Sequence, residues 1–293
     1  MVTWSPCSAL PLRCELHGPD ELERLARPVF PLGNGLSDAE FLWTWHTRRV
    51  DDGSWRCERD DGALLTARLV AELVAQIEFD CVRRVAYRHG QSDLFGLHDA
   101  LLSRGERAIF LTGHKEAGKS TLGLARWQNG WQLGADDFCL VRVAGEGARV
   151  FPVLRRASLR ASSRLLFGEA VWTRLLALPS AHTMGDGFMC HPDELRPECA
   201  PSRLAPRRLD ALFFVEGEAG GPTCEPRRAT DAMFTLLAQT THLGSEDDTA
   251  PNLDNWGAAR PQLSAFTSAV RSFRLRRAPL REMIRAIDTV FSS

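Results

Sequence analysis

Apolar positions along this chain change rhythm near residue 90, and that change predicts its organisation. From about Gln91 onward, short apolar runs of strand length alternate with stretches at helical spacing, the order expected of an α/β layer. Ala108-Ile109-Phe110-Leu111-Thr112 reads as a buried strand. Ser120 to Trp127 places apolar side chains at helical spacing, and Gly130 marks the stop. Ala211 to Val215 is a second buried-strand run, followed by a helix from about Thr230 to Thr241, and Ala278 to Phe291 reads as an amphipathic helix. Residues 217–223 and 244–256, rich in Gly, Glu and Asp, read as loops. Upstream, Pro28, Pro31, Gly33 and Gly35 punctuate a loop, and Gly53 to Arg59 reads as a short strand before an Asp60-Asp61-Gly62 turn. Leu64 to about Tyr87 is then a long helix with Leu69, Leu73, Ile77 and Val82 roughly on one face. The expected organisation is a small N-terminal α+β module over residues 1–90 and an α/β domain over 91–293, with no internal repeat.

Composition narrows the function classes. The 293 residues are 44% hydrophobic and 25% charged, enough apolar side chain for a sizeable core in a soluble chain. A formal net charge of −1 gives no global electrostatic case for binding nucleic acid or an anionic membrane. Neither an export-type N-terminal pattern nor an apolar run near ~18 residues is present, so the expectation is a cytoplasmic protein that does not span a membrane. The eight cysteines (Cys7, Cys14, Cys57, Cys81, Cys139, Cys190, Cys199, Cys224) form no C-x-x-C pair. Cys7, Cys14 and His17, and likewise Cys190-His191, lack the repeated knuckle spacing of a zinc site, and Cys81 and Cys139 sit in apolar runs. Reduced thiols buried as small core residues are expected.

The distribution of lysine changes the picture. Both lysines of the chain lie in Gly113-His114-Lys115-Glu116-Ala117-Gly118-Lys119-Ser120-Thr121, and the remaining 34 basic residues are all arginine. The stretch reads G-x-x-x-x-G-K-S, the Walker A pattern, in which loop N–H groups and a helix N-terminus surround phosphates. A compact ammonium on a flexible stem reaches the β/γ phosphates where a planar guanidinium would not fit. The pattern needs a buried strand before it and a helix after it, and the flanks described above supply both. These residues predict a nucleotide phosphate site, with Lys119 as its cation and Lys115 and Glu116 as solvated loop residues.

Two further features point to phosphoryl transfer. In Gly134-Ala135-Asp136-Asp137, the first aspartate follows Lys119 by 17 residues. Paired carboxylates at a strand end beside such a loop can divide the work. One holds Mg²⁺ together with the Ser120 hydroxyl, and the other takes the proton of an attacking hydroxyl. His98, 15 residues before Gly113, lies on the strand pair leading into the loop, where it can orient or perturb a neighbouring carboxylate.

Taken in order, Leu97-His98-Asp99-Ala100, Arg107 to Gly113, the Gly-Lys-Ser-Thr loop, Gly130-Trp131-Gln132-Leu133 and Ala135-Asp136-Asp137 resemble the catalytic domain of the HPr kinase/phosphorylase family and its kinase-like relatives. The resemblance continues through Arg155-Arg156-Ala157-Ser158-Leu159-Arg160, Leu195-Arg196-Pro197 and the strand-helix unit at 210–242, and covers roughly residues 64–293. It implies a P-loop core of the HPr kinase/phosphoenolpyruvate carboxykinase-like type with a mixed sheet. It further implies an ATP- and Mg²⁺-dependent serine-type kinase, similar to kinases encoded beside modified-peptide pathways such as those for lasso peptides.

Carried over by position, the resemblance implies these roles. Gly113, His114, Lys115, Glu116, Ala117, Gly118, Lys119, Ser120 and Thr121 hold the nucleotide. Ser120 and Asp137 hold Mg²⁺, Asp136 is the catalytic base, and His98 supports it. Arg155, Arg160 and Arg196 neutralise phosphoryl charge or an acidic substrate. The partners implied are a nucleotide and a hydroxyl-bearing peptide or small-molecule acceptor, and the C-terminal helix can pack on its own domain or on a second copy. Relatives carry Ser-Gly where this chain has Lys115-Glu116, so a bulky acidic residue replaces a glycine that lets the backbone wrap around phosphate. No segment matches the one that supports dephosphorylation in HPr kinase/phosphorylases, so another hydroxyl acceptor is the expectation. A nucleotide-binding accessory protein that recruits a partner or precursor peptide is the alternative, and a kinase using ADP or pyrophosphate is a third reading.

Overall fold

The computed structural model describes residues 1–10, 12–30, 41–88, 94–97, 100–114, 117–136, 138–145, 147–196, 205–217, 223–240 and 254–292. It divides into two compact units, one formed by Met1–Val85 with Val153–Leu204 and the other by Ala86–Pro152 with Ala205–Ser293. A single boundary near residue 90 does not describe this division, because the middle of the chain returns to the N-terminal unit.

The first unit begins with β1 (Val2–Trp4), β2 (Leu12–His17), helix α1 (Asp20–Val29), β3 (Phe41–Arg49), β4 (Trp55–Arg59) and β5 (Leu64–Ala67), whose five strands pair in sequence order. Leu12, Cys14 and Leu16 are buried while the residues between them are only half-buried, the period of two expected of a sheet with one covered face. Trp4 stacks on Phe30 at 4.2 Å and on Trp45 at 5.6 Å, forming the aromatic centre of this unit. Helix α2 (Val70–Arg88) begins later than the apolar pattern predicted. Gly62, at φ 85°, closes a hairpin in which Arg59 N–H donates to Ala63 O at 2.9 Å, and residues 64–67 are thereby claimed by the sheet. Leu69 is exposed ahead of the helix, whereas Leu73, Ile77 and Val82 are buried as their spacing requires.

The second unit opens with β6 (Leu94–Leu97), β7 (Ala100–Arg104), β8 (Arg107–Thr112), α3 (Lys119–Gln128), β9 (Gln132–Ala135), β10 (Cys139–Ala144) and β11 (Gly147–Pro152). The chain then rejoins the first unit as β12 (Ala157–Arg160), α4 (Arg164–Leu176, bent at Gly168), β13 (His182–Met184) and β14 (Gly187–Cys190), the strands forming a small sheet in the order β12-β14-β13. Cys7 bridges Val153, Leu154 N–H donates to Pro6 O at 2.7 Å, and His191 Nε2 lies 2.9 Å from Val29 O. The fully buried Arg156 donates through Nε to Glu78 of α2 at 2.9 Å.

The last segments, β15 (Arg207–Glu216), β16 (Cys224–Pro226), α5 (Ala229–Thr240), α6 (Asp254–Ala269), β17 (Arg271–Arg276) and α7 (Leu280–Ser292), complete the second unit. Its main strand order is β6-β10-β11-β15-β8-β7-β9, and the sheet forks at β15. The first residues of β15 pair with β11 and its later residues with β17, the register shifting against β8 between Leu209 and Ala211. β8, β15 and β17 are parallel, a geometry that requires the helical crossover α5–α6 between the last two.

Chain continuity shows that this sheet is strongly rolled. β6 and β7 stand five strands apart in the order, about 24 Å if the sheet were flat, yet three residue steps from Leu97 to Ala100 reach only about 11 Å. Phe95, Leu97, Leu101, Phe110, Ala135, Cys139 and Phe214 share one core with Ala232, Leu236, Leu263 and Phe266 of α5 and α6. Helix α3 covers the other face, Gly123 lying against Leu102, Leu133 and Ala100. Among the described residues, no helix is long and apolar enough to cross a membrane.

Candidate functional site

The glycine loop leaves the C-terminal end of β8, the parallel neighbour of β15, and enters α3. Strand β8 is buried from Ala108 through Thr112 because both its faces are covered, which explains its continuous apolar run. Gly113 takes φ 153°, and a Cβ placed there would overlap the carbonyl oxygen of Val215 on β15. Gly118 is left-handed at φ 98°, ψ 14° and immediately precedes the first residue of α3. Both positions therefore require glycine, one for close approach and one for backbone conformation. Between them Ala117 N–H donates to His114 O at 3.1 Å, which folds the loop back toward the helix.

Lys119 is the first residue of α3, and its ammonium turns back into the loop. Nζ donates to Gly113 O at 2.6 Å and to His114 O at 3.0 Å. Ser120 and Thr121 follow on the first helical turn with exposed side chains. A cation that rests on carbonyls at the positive end of a helix is positioned to be drawn to an anion. Lys115 and Glu116 lie outside the described residues.

Asp136 follows β9 and is half-buried. β9 runs antiparallel to β7, which runs antiparallel to β8, so the C-terminal ends of β9 and β8 share one edge of the sheet. Two strand spacings, about 10 Å, separate them. Asp137 and His98 lie outside the described residues. Their described neighbours are nonetheless paired, Leu97 with Cys139 and Leu101 with Ala135. The described residues on either side of His98 thus face described residues on either side of the Asp pair.

Arg155, Arg160 and Arg196 belong to the unit that does not contain the loop. The Arg155 guanidinium lies 5.4 Å from the Phe79 ring centroid, Arg160 is exposed at the end of β12, and Arg196 is half-buried. Their neighbour Arg156 is the buried one.

On the other side of β8 the structure gathers charges that the sequence reading passed over. Arg274 Nε donates to Glu216 at 3.0 Å and Nη1 to Glu225 at 3.3 Å, while Arg276 donates to Glu225 at 2.7 Å. Arg227 sits 3.5 Å from Glu216, with its guanidinium 4.3 Å from the Phe214 ring centroid and 2.7 Å from Thr235 Oγ1. Burial pushes Arg227 below the ordinary arginine value, Glu216 opposing the shift, whereas Glu216 holds Arg274 above it. Alternating Arg274 and Arg276 was the available signal, but only the pairing of β17 with β15 and β16 gives these residues a location.

No family model and no curated protein matches this sequence. Among solved structures the chain is similar to the HPr(Ser) kinase/phosphatase from Coxiella burnetii, at 12% identity and a TM-score of 0.36, covering 68% of this chain and 99% of that one.

Proposed function

We propose that this chain is an ATP- and Mg²⁺-dependent kinase that phosphorylates a serine-type hydroxyl on a peptide or small molecule in a specialised, peptide-modification type of pathway. The observation that carries the reading is the Lys119 ammonium at the mouth of α3, held by Gly113 O and His114 O between two glycines that no other residue replaces without strain. Lys119 exchanges those carbonyls for the donor phosphates, and the N-terminus of α3 adds its positive end. Bound Mg²⁺ supplies charge neutralisation along the donor phosphates, with Ser120 and Asp137 as its protein ligands. Asp136 takes the proton of the acceptor hydroxyl, and His98 orients it. Arg155, Arg160 and Arg196 serve an acidic acceptor.

Calorimetric titration of the wild type and Lys119→Ala with ATP, ADP and GTP in the presence of Mg²⁺ tests the reading. Micromolar binding that disappears in Lys119→Ala is the expected result, and a wild type that binds none of the three refutes it. Glu116 in place of a loop glycine favours a second reading, a nucleotide-binding accessory protein that recruits a partner. Asp136→Asn separates the two, since a kinase loses transfer while keeping nucleotide affinity and an accessory protein has no transfer to lose.

A further inference from the structure

Strand register lines up five arginines in one row across the sheet of the second unit, at the end opposite the glycine loop. Arg142 of β10 pairs with Arg149 of β11, Arg149 with Arg208 of β15, Arg208 with Arg107 of β8, and Arg107 with Arg104 of β7. Ala108, Ala148 and Leu209 belong to the core shared with α5 and α6, so the alternating Arg107, Arg149 and Arg208 stand on the other face. Four strand spacings carry the row over about 19 Å. Arg107 precedes Gly113 by six residues, about 20 Å along β8, so the row is remote from Lys119 and stands independently of the nucleotide reading.

Like charges set directly opposite one another across strands destabilise a sheet, and here four successive pairs are of that kind. One offsetting carboxylate comes from within the row. The register of β15 against β8 skips Asp210, and this extra residue turns its side chain onto two neighbours. Arg107 Nε donates to one oxygen and Arg208 Nε to the other at 3.0 Å, with Asp210 5% exposed. The Phe291 ring of α7, its centroid 4.2 Å from the Arg107 guanidinium, steadies that side chain further. Arg142 is half-buried, 5.5 Å from the Phe151 ring centroid. Arg104 and Arg149 are exposed, and neither side chain has a hydrogen-bond or ionic partner among the described residues. Arg208 keeps 66% of its side chain accessible. Glu106, exposed on the β7–β8 turn, makes no ion pair among the described residues. The sheet thus fixes the spacing of guanidiniums that face solvent.

We infer that this row is a docking surface for an acidic polypeptide segment of a partner protein. Carboxylates fit because one already sits there, Asp210 engaging two adjacent guanidiniums as an incoming Glu or Asp side chain would. An extended segment rising about 3.3 Å per residue covers the row with about six residues. Nucleic acid and membrane fit less well. Single-stranded nucleic acid adds base stacking on aromatic side chains to its phosphate contacts, and a membrane surface takes up apolar ones. Among the described residues, none of the exposed large apolar side chains, of which Leu165 and Phe234 are the most exposed, lies on these five strands. A net charge of −1 over the whole chain likewise confines the attraction to the row itself.

The test is fluorescence anisotropy of labelled hexaglutamate titrated with the full chain, comparing wild type, Arg104→Gln, Arg149→Gln, the double variant and Arg281→Gln. Arg281 is exposed in the same unit, ten residues along α7 from Phe291 or about 15 Å, and its loss removes the same charge. Thermal melting confirms that each variant is folded. Hexaglutamate binding should weaken about threefold in each single variant and about tenfold in the double variant, and stay unchanged in Arg281→Gln. A wild type that binds no hexaglutamate, or row variants that bind it as the wild type does, overturns the proposal. Equal weakening in Arg281→Gln shows diffuse charge attraction and overturns it as well. Parallel titrations with labelled hexauridylate and with phosphatidylserine vesicles separate the sources. Tighter binding of either than of the peptide, lost in the double variant, reassigns the row to nucleic acid or to a membrane surface and overturns the peptide assignment.

Discussion

Removing Glu78 should destabilise the N-terminal unit more than any surface change, because the charge it leaves behind has nowhere to go. Arg156 is 0% exposed and Glu78 only 2%. The two carboxylate oxygens take the Arg156 backbone N–H at 2.5 Å and its Nε at 2.9 Å, while Nη1 reaches Ser180 O at 3.1 Å and His182 Nδ1 at 2.5 Å. Glu78→Leu therefore strands a desolvated guanidinium and an unpaired buried amide, a loss of about 3–5 kcal/mol. At about 1.4 kcal/mol per decade, the unfolding equilibrium shifts by roughly two to three and a half orders of magnitude. Arg156→Met alone should cost a comparable amount by stranding the carboxylate. The double variant should cost less than the two single losses added, since neither charge remains. Urea unfolding followed by tryptophan fluorescence reads these values, because Trp4 and Trp45 stack inside the same unit. A loss below about 1 kcal/mol in Glu78→Leu, or simple additivity in the double variant, would refute the argument.

The same network makes a pH prediction. Burial lowers the His182 pKa below the ordinary histidine value, and the adjacent Arg156 charge pushes it the same way. The unfolded chain then binds a proton that the folded chain refuses, so the stability contributed is fully present above about pH 6.5 and falls as pH drops from there toward the lowered folded value. Unfolding free energies of His182→Asn should decline less than those of the wild type between pH 7 and 5, and parallel declines would count against the assignment. In the second unit, Gly113→Ala should cost about 1–3 kcal/mol through overlap with Val215 O, measured by urea unfolding, and should weaken ATP binding as well. An unchanged midpoint and unchanged affinity would mean the loop relaxes freely at that position.

Local pattern was sufficient for several elements. The apolar run at 108–112, the helix after Lys119, the strand within 207–216 and the helices starting near 229 and 280 are all present, because each is either a continuous buried run or a repeat at helical spacing. Leu64 to Ala67 misled because apolar residues of strand and helix look alike over four positions, and the Gly62 turn settles the matter only by pairing β5 with β4. Helix α6 (Asp254–Ala269) was missed beside a polar stretch, and its buried face is defined by Leu263 and Phe266 meeting the sheet core. The loop was legible for the opposite reason, since two glycines, a lysine and a hydroxyl at fixed spacing state their requirements within a few residues.

What the sequence determined by itself was thus local: a strand, a glycine turn and a lysine at a helix start, all set by backbone conformation within one short segment. Tertiary structure alone decided which distant residues share that segment's surroundings. Pairing of β15 with β8 and β17 places Glu216, Arg274 and Arg276 at the end of the sheet from which the loop departs, and the buried Arg156–Glu78 contact returns residues 153–204 to the N-terminal unit. Strand order and long-range ion pairing depend on how the whole apolar surface is buried, and no window of neighbouring residues contains that information.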